Sequence, residues 1–485
     1  MAFLVYFRIA FGGIMLWEVQ RYFHHGWIQK YWMDPVFNFT YPGFGWVQPW
    51  PGQGMIWHFV ALGVLATFIA LGFFYRVSAL LFCLGFTYIF LLEQARYLNH
   101  FYLICLLSFI LICLPAHRLC SVDVLRRPQL LSQTAPAWTL WLLRFQLGVA
   151  YFYGGIAKLN GDWLQGEPMR MWLAKSTDFP LVGQFFTQEW MVYLLSYSGL
   201  FLDLLVVPLL LWRKTRWLAF TFAVLFHLTN ARLFSIGIFP WFMIAATAIF
   251  FPPDWPRRVI GFLAGSLFKR PLTPVSPSSS HPSMLAGLHT VSRHSWRVRG
   301  ANPGSDRPPT PPGREIAKSG SARAIAPSRD RALIATCLLI YASLQCLLPL
   351  RHYLYPNNVS WTEEGHRFAW HMKLRDKDAT AEFIVRDPAT QEVQVVLPKQ
   401  FLARWQARKM STRPDMVLQF AHYLAETLPA QGPEPLEVRT RVWASLNGRP
   451  PRLLIDPFVD LVQQSRSLYP ADWILPLNDP LKPEA

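Results

Sequence analysis

Six polar side chains are set among apolar residues at places where chemistry is possible. Asn99 and His100 are adjacent at the start of an apolar run, and Lys158 ends another, just past Tyr151-Phe152-Tyr153-Gly154-Gly155. His227 and Asn230 are three apart, so on a helix they share one face. His352 directly follows the last apolar run. Desolvation disfavours a charged amine, and a neutral amine is what a general base requires. Histidines beside it would stabilise a developing oxyanion. Each residue alone also reads as a helix cap, a snorkelling charge or an interhelical hydrogen bond. Together they point to base chemistry on an amphiphilic substrate, provided that the elements carrying them end at one level.

Those elements are membrane spans. The chain has 485 residues, of which 52% are hydrophobic and only 15% charged, with mean hydropathy +0.21. A soluble domain usually carries about 25% charged residues. A helix crossing the hydrocarbon needs about 20 mainly apolar residues. Runs of this kind predict about nine spans, over Ala2–Leu16, Met55–Phe74, Val77–Leu92, Phe101–Leu114, Trp138–Ala157, Met191–Leu211, Trp217–Leu228, Ile236–Phe251 and Leu333–Leu350. Met1 runs straight into an apolar stretch containing Arg8, without a basic leader or a small-residue cleavage site. The first span is therefore expected to act as its own signal, unless the true N-terminus lies upstream.

Lys and Arg in alternate loops set the orientation. One set of loops holds Arg76, then Arg118, Arg126 and Arg127, then Arg213, Lys214 and Arg216, and last the thirteen Lys and Arg residues between Asp254 and Arg331. The other set holds only Arg21 and Lys30, Arg96, Lys158, Arg170 and Lys175, and Arg232. The first set is expected to be cytosolic, which leaves the N-terminus cytosolic and everything after Leu350 in the periplasm or lumen. Asn99, His100, Lys158, His227, Asn230 and His352 then all lie near the outer membrane boundary. The formal charge of +17 is topology signal rather than a phosphate-binding groove, which argues against nucleic acid as a partner.

The expected organisation is eight spans over 1–262, a disordered basic Pro/Ser-rich cytosolic linker over 263–331, a ninth span over 332–350 and an extracytosolic domain over 351–485. The last is expected to be α+β and mostly antiparallel. Ala369–Arg375 alternates as a half-buried strand, and Phe383–Arg386 and Glu392–Leu397 flank a turn at Asp387-Pro388-Ala389-Thr390. Phe401–Leu428 is broadly helical with a break near Pro414, and Val438–Leu446 and Arg452–Ile455 flank Asn447-Gly448. The six cysteines show no CxxC or Cys/His metal spacing, and no metal is expected; the extracytosolic domain has no cysteine. Within the spans, Arg144 reads as a snorkelling structural charge, and Asp203 pairs with it or with another helix.

At these same residues the sequence resembles the vitamin K-dependent γ-glutamyl carboxylase family, in particular bacterial relatives with the horizontally transferred transmembrane (HTTM) domain. The stretches that carry the resemblance are YLNHFYLICLLSFILICLPAHRLCSVD (Tyr97–Asp123), YFYGGIAKLNGDWLQGEPM (Tyr151–Met169) and FHLTNARLFSIGIFPWFM (Phe226–Met243). Beyond the linker, LPLRHYLYPNNVSWTEEGHRFAWHMKLRDK (Leu348–Lys377) and VWASLNGRPPRLLIDPFVDL (Val442–Leu461) continue it. The resemblance implies that Lys158 is the base that deprotonates vitamin K hydroquinone. Dioxygen then yields a strongly basic species that ends as the epoxide. It removes a γ-proton from a peptide glutamate, to which CO2 adds. The resemblance further implies that His100 acts with Lys158, that Asn99 supports the quinone oxygens, and that His227, Asn230 and His352 lie near the quinone. It also implies that His366 belongs to the quinone-binding residues, at a position where animal members are expected to have a tyrosine. The implied partners are a quinone drawn from membrane lipid and a glutamate-containing peptide or protein.

Three other readings are separable by experiment. Quinone epoxidation without carboxylation would show as epoxide and no carboxylated peptide. A membrane acyltransferase, which also uses a buried His and Asn, would transfer a labelled acyl group. A non-enzymatic lipid-binding or transport protein would consume no oxygen with reduced quinone.

Overall fold

The computed structural model describes residues 1–234, 236–267 and 329–479. Each predicted apolar run is helical: α1 (Ala2–His24), α2 (Gly54–Leu71), α3 (Tyr75–Leu92), α4 (Asn99–Cys113), α5 (Ala137–Ile156), α6 (Glu189–Leu211), α7 (Arg216–Phe234), α8 (Phe239–Thr247) and, after the intervening α9 (Trp255–Leu267), α10 (Arg329–Leu347). Among the described residues, six apolar helical segments are long enough to cross a bilayer: α1, α2, α3, α6, α7 and Asp330–Leu354. Asn99–Cys113 and Phe239–Phe250 are apolar but shorter, and α5 carries Arg144. Contacts divide the chain into two units, Met1–Gly261 with Leu338–Ala485, and Phe262–Cys337. In the second unit the described residues, 262–267 and 329–337, are helical. The rest of the expected linker lies outside the described residues.

Apolar helices in lipid associate by close packing of small residues. A Cβ on Gly12 of α1 would come within 2.5 Å of the Ala66 carbonyl oxygen of α2. One on Gly155 of α5 would come within 2.7 Å of the Leu204 side chain of α6. The second contact fixes the pair of helices that carries Lys158. The α5 guanidinium of Arg144 donates to the carbonyls of Ile249, Phe250 and Phe251 at 3.0–3.3 Å. It thereby satisfies a helix end rather than pairing with Asp203.

The C-terminal domain is built on a four-stranded antiparallel sheet in the order β2-β1-β3-β4. Here β1 is Lys377–Arg386, β2 Val393–Val396, β3 Glu437–Leu446 and β4 Arg452–Leu453. The β1–β3 register runs from Lys377↔Leu446 to Arg386↔Glu437. Two helices cover one face, α11 (Arg404–Ser411) and α12 (Pro414–Thr427); Pro414 opens α12, where a missing N–H is harmless. Asn447 and Gly448 have φ of 52° and 81°, the left-handed geometry that the Asn-Gly signal predicts.

Ala369–Arg375 is not a strand. Phe368, Trp370 and Lys373 have φ of 66°, 59° and 48°, which no strand tolerates. Two backbone groups of this stretch are bonded instead to side chains at the start of α4 and just before it. Tyr97 Oη accepts from the Phe368 N–H at 2.7 Å, and Asn99 Nδ2 donates to the His371 carbonyl at 2.9 Å. Burial does not alternate either: Ala369, Trp370 and His371 are all buried, and Met372 only partly so.

Loops between the helices dock the domain. Phe39 and Ala95 lie in its apolar core with Phe383, Met410 and Phe420. The buried Glu93 carboxylate accepts from the backbone N–H groups of Phe39 and Ala95 and from Gln406 Nε2 on α11. Asp162, just after α5, is gripped by both terminal nitrogens of Arg449 at 2.7 Å and by Asn447 Nδ2 at 2.7 Å.

Candidate functional site

Past the end of α5, the Lys158 side chain folds back along its own helix. Its Nζ donates to the Gly154 carbonyl at 3.0 Å and lies 2.6 Å from Asp203 Oδ2 on α6. Both side chains are only 6% exposed. Lys158 is therefore the partner of Asp203, which the sequence left open. The two are 45 positions apart, and the close packing of α5 on α6, at Gly155 against Leu204 among other contacts, brings them together.

The pair opens on a cavity of about 590 Å³. Asn99, His100, Lys158, His227, Asn230 and His366 all line it, so residues from α4, the end of α5, α7 and the C-terminal domain share one space. His227 and Asn230 reach it from α7. His227 Nε2 is 2.8 Å from the Tyr151 hydroxyl, which is 3.1 Å from Thr247 Oγ1, while His227 Nδ1 is buried with no protein partner. The His100 ring lies 5.5 Å from that of Phe239 on α8. Asn99 lines the cavity and also ties down the 368–371 loop, its Oδ1 accepting from the Tyr97 hydroxyl.

His352 is absent from the cavity wall. Its Nδ1 is 2.8 Å from the Pro349 carbonyl oxygen, and its backbone packs so closely against Gly365 that a Cβ there would meet its Cα at 2.5 Å. Its ring stands behind that of His371, with centroids 4.7 Å apart.

The C-terminal domain supplies residues that the sequence reading did not single out. His371 lines the cavity, is buried, and has neither ring nitrogen paired. Arg375, Lys377, Lys409 and Arg413 form a cationic stretch of the same wall beside Glu363. Arg375 Nε donates to Glu363 Oε1 at 2.8 Å. Burial pulls the Lys377 amine down to about 7, against the pull of Glu363. The composition of Leu348–Lys377 held a signal for these residues, five basic side chains and three histidines around few acids. The assumed strand alternation hid which of them turn inward.

The remaining wall is apolar, formed by Trp163, Leu195, Phe226, Leu233 and Phe239 among others. A hydrophobic space with a few convergent polar groups suits a small amphiphile. The site thus combines a buried Lys158–Asp203 ion pair, an apolar wall, and a cationic wall from the C-terminal domain.

The HTTM domain model matches residues 1–255, and the model of the lumenal domain of vitamin K-dependent gamma-carboxylase matches residues 330–480. No solved structure matches the chain. With both models met in order along its length, the chain belongs to the vitamin K-dependent γ-glutamyl carboxylase family with an HTTM domain.

Proposed function

We propose that the cavity takes vitamin K hydroquinone from the bilayer and couples its oxygenation to the epoxide to carboxylation of a peptide glutamate. The buried Lys158–Asp203 pair on the cavity wall carries this reading. The residues also fit the group: the unpartnered His227 Nδ1 offers a polar contact, and the apolar wall suits an aromatic ring. Bound hydroquinone, with dioxygen, supplies the driving force for removing an otherwise unreactive γ-proton, and CO2 supplies the carbon.

The chain's own residues manage the protons and charges. Lys158 and Asp203 hold one proton between two basic atoms. With that proton on Asp203, the Lys158 amine accepts one from a ligand hydroxyl and, as the ammonium, keeps a positive charge beside the anion it creates. Tyr151 and Thr247 orient His227, and Asn99 and His100 complete the polar rim. Arg375, Lys377, Lys409 and Arg413 attract the glutamate carboxylate. Burial of the Lys158–Asp203 pair strengthens its interaction with a ligand and limits competing water.

The alternating Lys and Arg residues support a cytosolic N-terminus, a cytosolic segment 263–331 and an extracytosolic C-terminal domain. Quinone then enters sideways from lipid, and the peptide enters from the outer compartment.

The test is incubation of the purified protein with vitamin K hydroquinone, oxygen, labelled bicarbonate and a glutamyl peptide. Epoxide and labelled peptide together are expected. Epoxide alone narrows the activity to quinone oxygenation. No hydroquinone-dependent oxygen consumption would overturn the proposal.

A further inference from the structure

His371 is a buried imidazole with no protein partner at either ring nitrogen, and it faces the cavity. A neutral imidazole carries one N–H donor and one acceptor, and buried polar atoms in native proteins are almost always paired. The surroundings do not offer a partner. The rings of His352 and His366 stand 4.7 and 5.6 Å away, centroid to centroid. His352 Nδ1 is engaged with the Pro349 carbonyl, and His366 Nδ1 lies 3.5 Å from the Glu363 carboxylate.

The position is also held at a conformational cost. Glu363, Phe368, Trp370 and Lys373 all have positive φ. Four non-glycine residues in this region within eleven positions form a strained segment of the kind that persists where surrounding contacts over-determine it, usually at ligand sites. Those contacts are visible here: the Phe368 N–H is held by Tyr97 and the His371 carbonyl by Asn99. The loop therefore brings His371, with its neighbours Met372 to Arg375, to the cavity wall from the side of the C-terminal domain, while Lys158 faces it from the helical domain.

We propose that His371 contacts the ligand, donating its N–H to a second oxygen of the bound hydroquinone while the first lies at the Lys158–Asp203 pair. This rests on the hydroquinone reading above and adds a recognition rule: the ligand class is an aromatic ring with oxygens at two ends. Burial first, then the neighbouring His352, Arg375 and Lys158, hold the imidazole down at about 3. It stays neutral near pH 7 and donates without bringing a charge, as a neutral histidine does when it polarises an oxygen.

The experiment measures anaerobic equilibrium binding of menadiol and of the same methylnaphthalene ring lacking one hydroxyl group. Wild-type protein, His371→Leu and His371→Gln are compared. One hydrogen bond to a buried group corresponds to about tenfold in affinity. Wild type is expected to prefer menadiol by about that factor, His371→Leu to bind both ligands alike, and His371→Gln, which keeps a donor, to recover part of the preference. The ratio is taken within each protein, so a loss of folded material cancels. Equal binding of the two ligands by wild type, or an undiminished preference in His371→Leu, overturns the role of His371 and leaves the hydroquinone reading intact. Failure of wild type to bind either ligand removes both.

Discussion

Replacing the two members of the buried pair singly and together tests whether they act as a unit. At 2.6 Å, Coulomb's law with an effective dielectric constant of about 20 gives an attraction of about 6 kcal/mol. Desolvation of two charges, each only 6% exposed, offsets most of it, so the pair adds little net stability over apolar residues of similar volume. Removing one partner is different, because it leaves a buried charge uncompensated at about 3–5 kcal/mol. Lys158→Met and Asp203→Leu are each expected to lower thermal stability in detergent. The double variant should return close to wild type, with a coupling of at least about 2 kcal/mol. Turnover of hydroquinone should fall about 10²–10⁴-fold in all three, the usual loss of a general base. Lys158→Arg sharpens the test. Arginine keeps the charge and the pairing with Asp203 but stays protonated at any usable pH. It should insert and fold normally and still lose epoxide formation. Near-wild-type epoxide formation by Lys158→Arg would reduce the lysine to a membrane anchor. Simple addition of the two single-variant losses would show that the pair is not coupled.

Three further outcomes follow from the fold. Asp162→Ala leaves Arg449, whose side chain is 6% exposed, without its carboxylate; it should lower stability by about 3 kcal/mol and expose the C-terminal domain to limited proteolysis. Unchanged stability would mean that this bridge does not hold the domain. Burial raises the Glu93 carboxyl from its ordinary 4.5 to about 8. Between those values the folded state binds more protons than the unfolded one, so Glu93's stabilisation is full below pH 4.5 and is lost as pH rises through 8. Glu93→Gln should remove that fall in a series of melting curves against pH, and an identical pH profile in the variant would refute the assignment. A reporter fused after Ala485 should behave as extracytosolic, since the Lys and Arg bias retains the alternate loops in the cytosol; a cytosolic signal would invert the proposed topology.

Local patterns determined much of this molecule. Apolar runs long enough for a bilayer become helices because no other open structure satisfies the backbone in lipid. Asn447-Gly448 and Asp387-Pro388-Ala389-Thr390 became turns because their backbone preferences are intrinsic to those residues. The motifs around Asn99, Lys158 and His227 pointed to the family because their spacing survives within single elements. Tertiary structure alone decided the rest. Asp203 could have met Arg144 or another helix. It meets Lys158 because Gly155 lets α5 approach Leu204 closely, while Arg144 is drawn to the carbonyls ending Phe239–Phe250. Ala369–Arg375 alternates like a strand, yet Tyr97 and Asn99, nearly three hundred positions earlier in the chain, capture its backbone. They turn His371 into the cavity. Periodicity sorts residues by polarity, but whether a polar side chain such as His371 is buried, and which partners it meets on other elements, is decided only when those elements pack.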